Sequence, residues 1–157
     1  MAINVTDVQG TKLYLAAFGT DVSSVANIEA AIAAGDQIGC LQSIGTISET
    51  VNVQEYQCIS SDESAKSIGT TSRGNFALST LFNSADAAGQ AELTAMWNTK
   101  TRRVLIIELN DDAGVSPTYV TFDIFLSSRD IGLEKDNAVM YDVTVEIASS
   151  VTITLAT

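Results

Sequence analysis

Two stretches near the end of the chain alternate at every residue. In Tyr119–Ser127, YVTFDIFLS, the positions Val120, Phe122, Ile124 and Leu126 are apolar. Thr121, Asp123 and Ser127 lie between them, and Phe125 breaks the rule. Met140–Ala148 repeats the pattern, with Tyr141, Val143, Val145 and Ile147 against Asp142, Thr144 and Glu146. A backbone with a side-chain period of two puts such residues on opposite faces of a strand, so each stretch buries one side and wets the other. A half-wet strand belongs to an antiparallel sheet.

The rest of the chain follows suit. Gly10–Phe18, GTKLYLAAF, opens on a turn residue and alternates Leu13 and Leu15 with Lys12 and Tyr14. Ile38–Tyr56 is β-like, with Gly45 as a break. From Ile47 its odd positions are Ile47, Glu49, Val51, Val53 and Glu55, and its even positions Thr46, Ser48, Thr50, Asn52 and Gln54 are wholly polar. In NFALSTLF, Phe76, Leu78, Thr80 and Phe82 share a face. Ser84 and Asp86 are N-cap types before a helix running to about Asn98, with Leu93, Met96 and Trp97 on one side. VLIIEL at Val104–Leu109 is a short apolar strand, NDDAGVSP a turn cluster, and VTITL a last strand or arm. Asn27–Ala34 fits a short helix ending at Gly35 and fits a loop equally well. The expectation is an α+β, mainly β fold: an antiparallel sandwich or barrel with one main flanking helix, in one domain over 1–157. The stretch Gln57–Arg73, QCISSDESAKSIGTTSR, reads as a long polar loop between strands, and loops of that length are functional or disordered.

Composition narrows the chemistry. The 157 residues are 46% hydrophobic, enough for a core. There is no histidine, which excludes Ser-His-Asp and Cys-His catalysis. Asp62/Glu63 and Asp111/Asp112 sit in polar loop stretches as solvated pairs, without the pocket that drives two carboxyl pKa values apart. NDDAG lacks the later ligands of a calcium loop, and no Gly-rich turn opens a helix for a nucleotide. Cys40 and Cys58 read as free, half-buried thiols. No catalytic residue, metal or cofactor is expected. With 19 acidic and 8 basic residues, a net charge of −11 opposes tight binding of nucleic acid. Lys100, Arg102 and Arg103 form the basic cluster. They suit the end of the preceding helix, with pairing to an acidic neighbouring subunit as the second reading. The N-terminal MAINVTDVQG has neither a basic region nor an apolar run, and no apolar run approaches the ~20 residues of a membrane span, so synthesis in the cytoplasm is expected.

The order of these pieces carries a resemblance. GTKLYL is followed by an acidic ISETVNV strand and a polar stretch ending TTSRGNFAL. Then come a helix carrying GQAEL (Gly89, Gln90, Leu93, Trp97), RRVLIIELND, and the strands YVTFDIFLSS and YDVTVEIAS. Over about Gly10–Ser150 this resembles the major tail tube protein of long-tailed bacteriophages with non-contractile tails. One departure is the longer NDDAGVSP where the family often has a tight Asp-Gly or Asn-Gly turn.

The resemblance implies a structural virion protein that stacks as hexameric rings into a tube for DNA ejection. It is assembled in the bacterial host cytoplasm and resident in the phage tail. Each subunit would give about four strands to an inner barrel of about 24, at ~4.8 Å per strand a circumference of at least ~115 Å and a bore scaffold nearly 40 Å across. Partners would be further copies, tape measure, tail tip and terminator proteins, with DNA passing untethered and no membrane contact. Small polar and acidic residues suit such a wall. That assigns Thr46, Ser48, Thr50, Asn52, Thr121, Asp123, Asp142, Thr144 and Glu146 to the lumen, although periodicity by itself gives only ordinary solvated faces. Gln57–Arg73, with Ser60, Asp62, Glu63, Lys66 and Arg73, becomes an inter-subunit loop, and 1–9 and 150–157 terminal arms. The alternatives are the tube of a contractile tail or type VI-like system, which shares the fold, and a monomeric β-sandwich binding module. The module usually displays exposed aromatics, and this chain is only 6% aromatic.

Overall fold

The computed structural model describes residues 7–60, 62–111 and 116–155. The strands are β1 (Asp7–Ala17), β2 (Asp36–Gln37), β3 (Leu41–Ile44), β4 (Glu49–Gln57), β5 (Ser64–Arg73), β6 (Asn75–Leu81), β7 (Arg103–Asn110), β8 (Tyr119–Gly132), β9 (Met140–Ile147) and β10 (Thr152–Thr154). The helices are α1 (Val25–Ala34) and α2 (Gly89–Thr99). All strand pairings are antiparallel. The main sheet runs β2-β1-β7-β8-β9-β6-β3, with β10 also on β8, while β4 and β5 form a sheet of their own.

One helix cannot cover such a sheet. Seven strands side by side span roughly 30 Å, whereas the 11 residues of α2 make a rod about 16 Å long. Yet Leu13, Leu105 and Val145, on separate strands, are all 0% exposed. The sheet therefore curls over its own apolar face. Leu13, Leu15, Leu105, Ile107, Phe122 and Ile124 close on Phe76, Leu78, Tyr141, Val143 and Val145, and Leu93 and Met96 of α2 close the core. The hinge is β8, whose 14 residues pair first with β7 (up to Ile124) and then with β9 (from Ile124 on).

The GQAEL segment owes its residue types to this closure. A side chain on Gly89 would run into the backbone of Gln37 and Ile38. Buried Gln90 donates to the Leu81 carbonyl (2.6 Å) and accepts from the Asn83 N–H (3.0 Å), tying the β6–α2 connection down. Asp86 caps the helix from outside, accepting from the N–H groups of Gly89 (2.9 Å) and Gln90 (3.2 Å) and also from Gly39 (3.2 Å).

Of the two readings open for Asn27–Ala34 the helix holds: α1 is capped by Ser24 and packed through Ile28 and Ala31 on Tyr14, Ala16, Val104, Ile106 and Tyr119. Three expectations change. The polar stretch Gln57–Arg73 is not one long loop: Gln57 ends β4, and Ser64–Arg73 is strand β5. The ends are less arm-like than expected, because Asp7–Gln9 belong to β1 and Thr152–Thr154 pair with β8; the remainder of 1–9 and residues 156–157 lie outside the described residues. Cys40 and Cys58 are exposed rather than half-buried. Asp112, between β7 and β8 in the sequence, also lies outside the described residues.

Candidate assembly surfaces

The two faces of the curled sheet differ in their cover. On the outer face α1 shields the β1–β7 half. The other half, built from the second part of β8 with β9, β6 and β3, has no helix over it among the described residues. The register puts Phe125, Ser128 and Asp130 of β8 beside Glu146, Thr144 and Asp142 of β9, and these beside Asn75, Ala77 and Ser79 of β6. No lysine or arginine occupies these positions. The polar groups hold one another: Ser79 Oγ donates to Asp142 (2.5 Å), Asn75 Nδ2 to Glu146 (3.2 Å) and Ser128 Oγ to Thr144 Oγ1 (2.7 Å). Asp130 stands directly opposite Asp142.

The residues proposed for one wall divide among three places. Asp142, Thr144 and Glu146 share the open face, and Asp123 is half-buried on the same side, its N–H donating to Ser149 Oγ (2.8 Å). Thr121 is a correction. It has the right parity, but it is flanked by Ile106 of β7 and Thr152 of β10 and is 1% exposed, so it offers no surface to line a channel. Thr46 and Ser48 lie in the connection between β3 and β4, and Thr50 and Asn52 lie on β4, off the main sheet. Sequence reading missed Asp130 and Ser128 because it ended the strand at Ser127. The bulge between Leu126 and Ser128 shifts the alternation there, and the strand runs on to Gly132.

The β4–β5 arm is the second surface. Every residue of β4 is exposed, and so is every residue of β5 but one. Nine residues of β4 reach about 30 Å. At the root Glu49 Oε1 accepts from Arg73 Nε and from the Val151 N–H, both at 3.1 Å, so Arg73 is engaged within its own chain. Lys66 stands opposite Glu55, and Ser60, Asp62 and Glu63 are at the tip. Alternation without burial leaves apolar groups in water: Val53, Tyr56 and Ile68 are more than half exposed and Ile59 wholly so.

A third feature is a corner beyond the end of α2. Lys100 Nζ lies 3.4 Å from the centre of the Trp97 ring, with Arg129 5.6 Å from the same ring, and Arg102 lies 6.0 Å from Phe125. Arg103 of the basic cluster instead pairs with Glu92 on α2. Trp97, expected in the core, is half-buried under its two cations. Elsewhere the Thr118 hydroxyl (2.6 Å) and N–H (2.7 Å) hold the Asp111 carboxyl below its ordinary pKa. Burial, and then the charge of Glu108, push the Tyr14 and Tyr119 phenols up. No helix among the described residues is long and apolar enough to cross a membrane.

No family model and no curated protein matches the chain. Solved structures do. A chain of the sheath/tube terminator of PVC, an extracellular contractile injection system in its extended state, has a TM-score of 0.72 at 13% identity, covering 98% of this chain and 99% of that one. A chain of the anti-feeding prophage (AFP) baseplate has a TM-score of 0.69 at 10% identity, covering 99% and 98%. The SPP1 tail tube has a TM-score of 0.64 at 10% identity, covering 94% of this chain and 78% of that one. What is shared at such identities is the backbone plan, and this chain has the tail-tube-like fold found in structural proteins of phage tails and contractile injection systems.

Proposed function

We propose that the chain is the repeating structural subunit of a phage tail tube, one tail tube domain that stacks as hexameric rings into the conduit for DNA ejection. The observation that carries the reading is the likeness of nearly the whole chain to the SPP1 tail tube subunit and to a chain of a PVC sheath–tube complex. Two features agree with it. The second part of β8 with β9, β6 and β3 makes a four-strand unit whose outer strand β3 and β8 residues 125–132 each have one edge without a strand partner among the described residues. Open edges are a standing invitation to pair, and a closed ring of such units removes them. The open face of that same unit is polar and acidic, the chemistry of a wall along which DNA moves without being held.

In this reading Asp123, Asp142, Thr144 and Glu146 face the lumen, joined by Asn75, Ser79 and Asp130. The arm, with Thr50, Asn52, Ser60, Asp62, Glu63 and Lys66, reaches a neighbouring subunit, and Arg73 holds its root on Glu49. The protein acts without catalysis or a cofactor, resides in the tail, is assembled in the bacterial host cytoplasm, and meets tape measure, tail tip and terminator proteins at the tube's bore and ends. The sequence resemblance favours a non-contractile tail. A tube inside a contractile sheath is the second reading, favoured by length, since the chain spans 99% and 98% of the PVC and AFP chains but 78% of the SPP1 subunit. Negative-stain microscopy of the purified protein tests the main claim. Hollow rods or six-fold rings are expected, and a monomer at every concentration counts against it. Microscopy of the native particles, intact and after acid shock, separates the readings, because only a sheathed tail shortens.

A further inference from the structure

The corner beyond α2 has charge without local use. Lys12, Arg73 and Arg103 are matched by Glu108, Glu49 and Glu92 of the same chain. Lys100, Arg102 and Arg129 instead gather on the rings of Trp97 and Phe125 with no ion pair among the described residues, in a chain of net charge −11. The rings offset part of the mutual repulsion of three cations, and the helix end suits Lys100, but neither draws Arg102 or Arg129 to one place. Between Lys100, Arg102, Phe125 and Leu126 lies a shallow cavity of about 250 Å³, with an apolar floor and a cationic rim. It has room for an aliphatic side chain flanked by carboxylates.

The arm tip has that makeup. Ile59 is wholly exposed, and Asp62 and Glu63 follow it closely in sequence, about 30 Å along the arm from its root. We propose that the cavity between Lys100, Arg102 and Phe125 receives the arm tip of a second copy of this chain, Ile59 entering the cavity and Asp62 and Glu63 meeting Lys100 and Arg102. The proposal rests on the tube reading and names the acceptor of the arm. Complementary charge across the contact steers the arm and sets its register, and the apolar plug supplies the burial. Duplex DNA is the poorer occupant, because a phosphate backbone requires a run of cations and meets repulsion from the rest of this chain.

Cys58, exposed beside Ile59, is a built-in probe. In full-length protein carrying Cys40→Ser, Thr101→Cys puts a thiol between Lys100 and Arg102. Mild oxidation of concentrated protein should give a ladder beyond dimer on a non-reducing gel, which Lys100→Glu and Arg102→Glu together lower about tenfold or more. Adding Asp62→Lys and Glu63→Lys should restore it. A control with Cys58→Ser gives dimer at most. Absence of the ladder, or a ladder indifferent to the charge changes, overturns the proposal, as does a low-salt shift of duplex DNA that depends on Lys100 and Arg102. The two readings fail separately. Tubes that assemble normally from Lys100→Glu/Arg102→Glu sink the acceptor and leave the tube reading standing, whereas a charge-rescued ladder from protein that never forms tubes supports the acceptor and sinks the tube.

Discussion

Strands β9 and β5 both carry polar residues and both pair antiparallel, yet they end in opposite surroundings. Along β9, Tyr141, Val143, Val145 and Ile147 are buried, and Asp142, Thr144 and Glu146 are half-exposed. In β5, Ile68 is 82% exposed, and every other residue of the strand but Gly69 is exposed too. The difference is what lies behind the strand. β9 has the curled sheet and α2 at its back, so its polar side is a surface resting on a core. The arm has only its two strands, and a two-stranded ribbon has no interior of its own. Its apolar residues are therefore surplus to the subunit's fold and available to another molecule.

The sharpest break between the two regions is to remove one. Replacing residues 51–71 with a short Gly-Ser link keeps the Glu49–Arg73 root, and closing a shorter loop changes the entropy little. Circular dichroism and the melting temperature of the subunit should stay near native while tubes disappear. Normal tubes from this variant would show the arm to be dispensable for assembly.

The opposite change acts on the wall. Turning Asp123, Asp142 and Glu146 together to lysine leaves the buried side of β8 and β9 untouched, so the subunit should fold and assemble. Particles built from it should eject DNA slowly or incompletely, with relief at high salt, because lysines neutralise phosphates and bind in a salt-dependent way. Unchanged ejection at low salt would remove these residues from the lumen.

Stability should follow the same division at smaller scale. Leu78→Ala, at 1% exposure behind the wall, should cost about 2–5 kcal/mol in denaturant unfolding of the subunit. Ile68→Ala on the arm should fall within about 0.5 kcal/mol. A comparable loss at both sites would mean that the arm packs on the body.

The smallest effect concerns the turn between β7 and β8. Hydrogen bonds from the Thr118 hydroxyl and N–H lower the Asp111 pKa. A carboxyl depressed in the folded state stabilises it fully above its ordinary value of about 3.9, and the contribution fades as the pH falls through the folded value. Thr118→Val removes the hydroxyl donor and should move the Asp111 titration, followed by carboxyl NMR, back toward the ordinary range. An unmoved titration would mean that the hydroxyl bond contributes nothing.

Periodicity alone is sufficient to recognise β8, β9 and β6 as half-wet antiparallel strands, because a period of two has one structural meaning. The break at Gly45, where a side chain would meet the Ala77 backbone, is legible for the same local reason. So is the core side of α2, where Leu93 and Met96 are buried as their spacing requires. The order of these elements sufficed for the tail-tube-like fold. What the chain could not declare in one dimension is which polar side stays wet. Thr121 and Thr144 have the same residue type and the same outward parity, yet one is sealed between β7 and β10 and the other lies open on β9. The polar run Ser64–Arg73 reads as a loop because its residues are poor at marking a strand that has no buried side. Its pairing with β4 rests on backbone hydrogen bonds that side-chain pattern does not encode. The corner of Lys100, Arg102 and Arg129 joins the α2–β7 connection to β8, and only the curl of the sheet, driven by burial of its apolar face, brings them together.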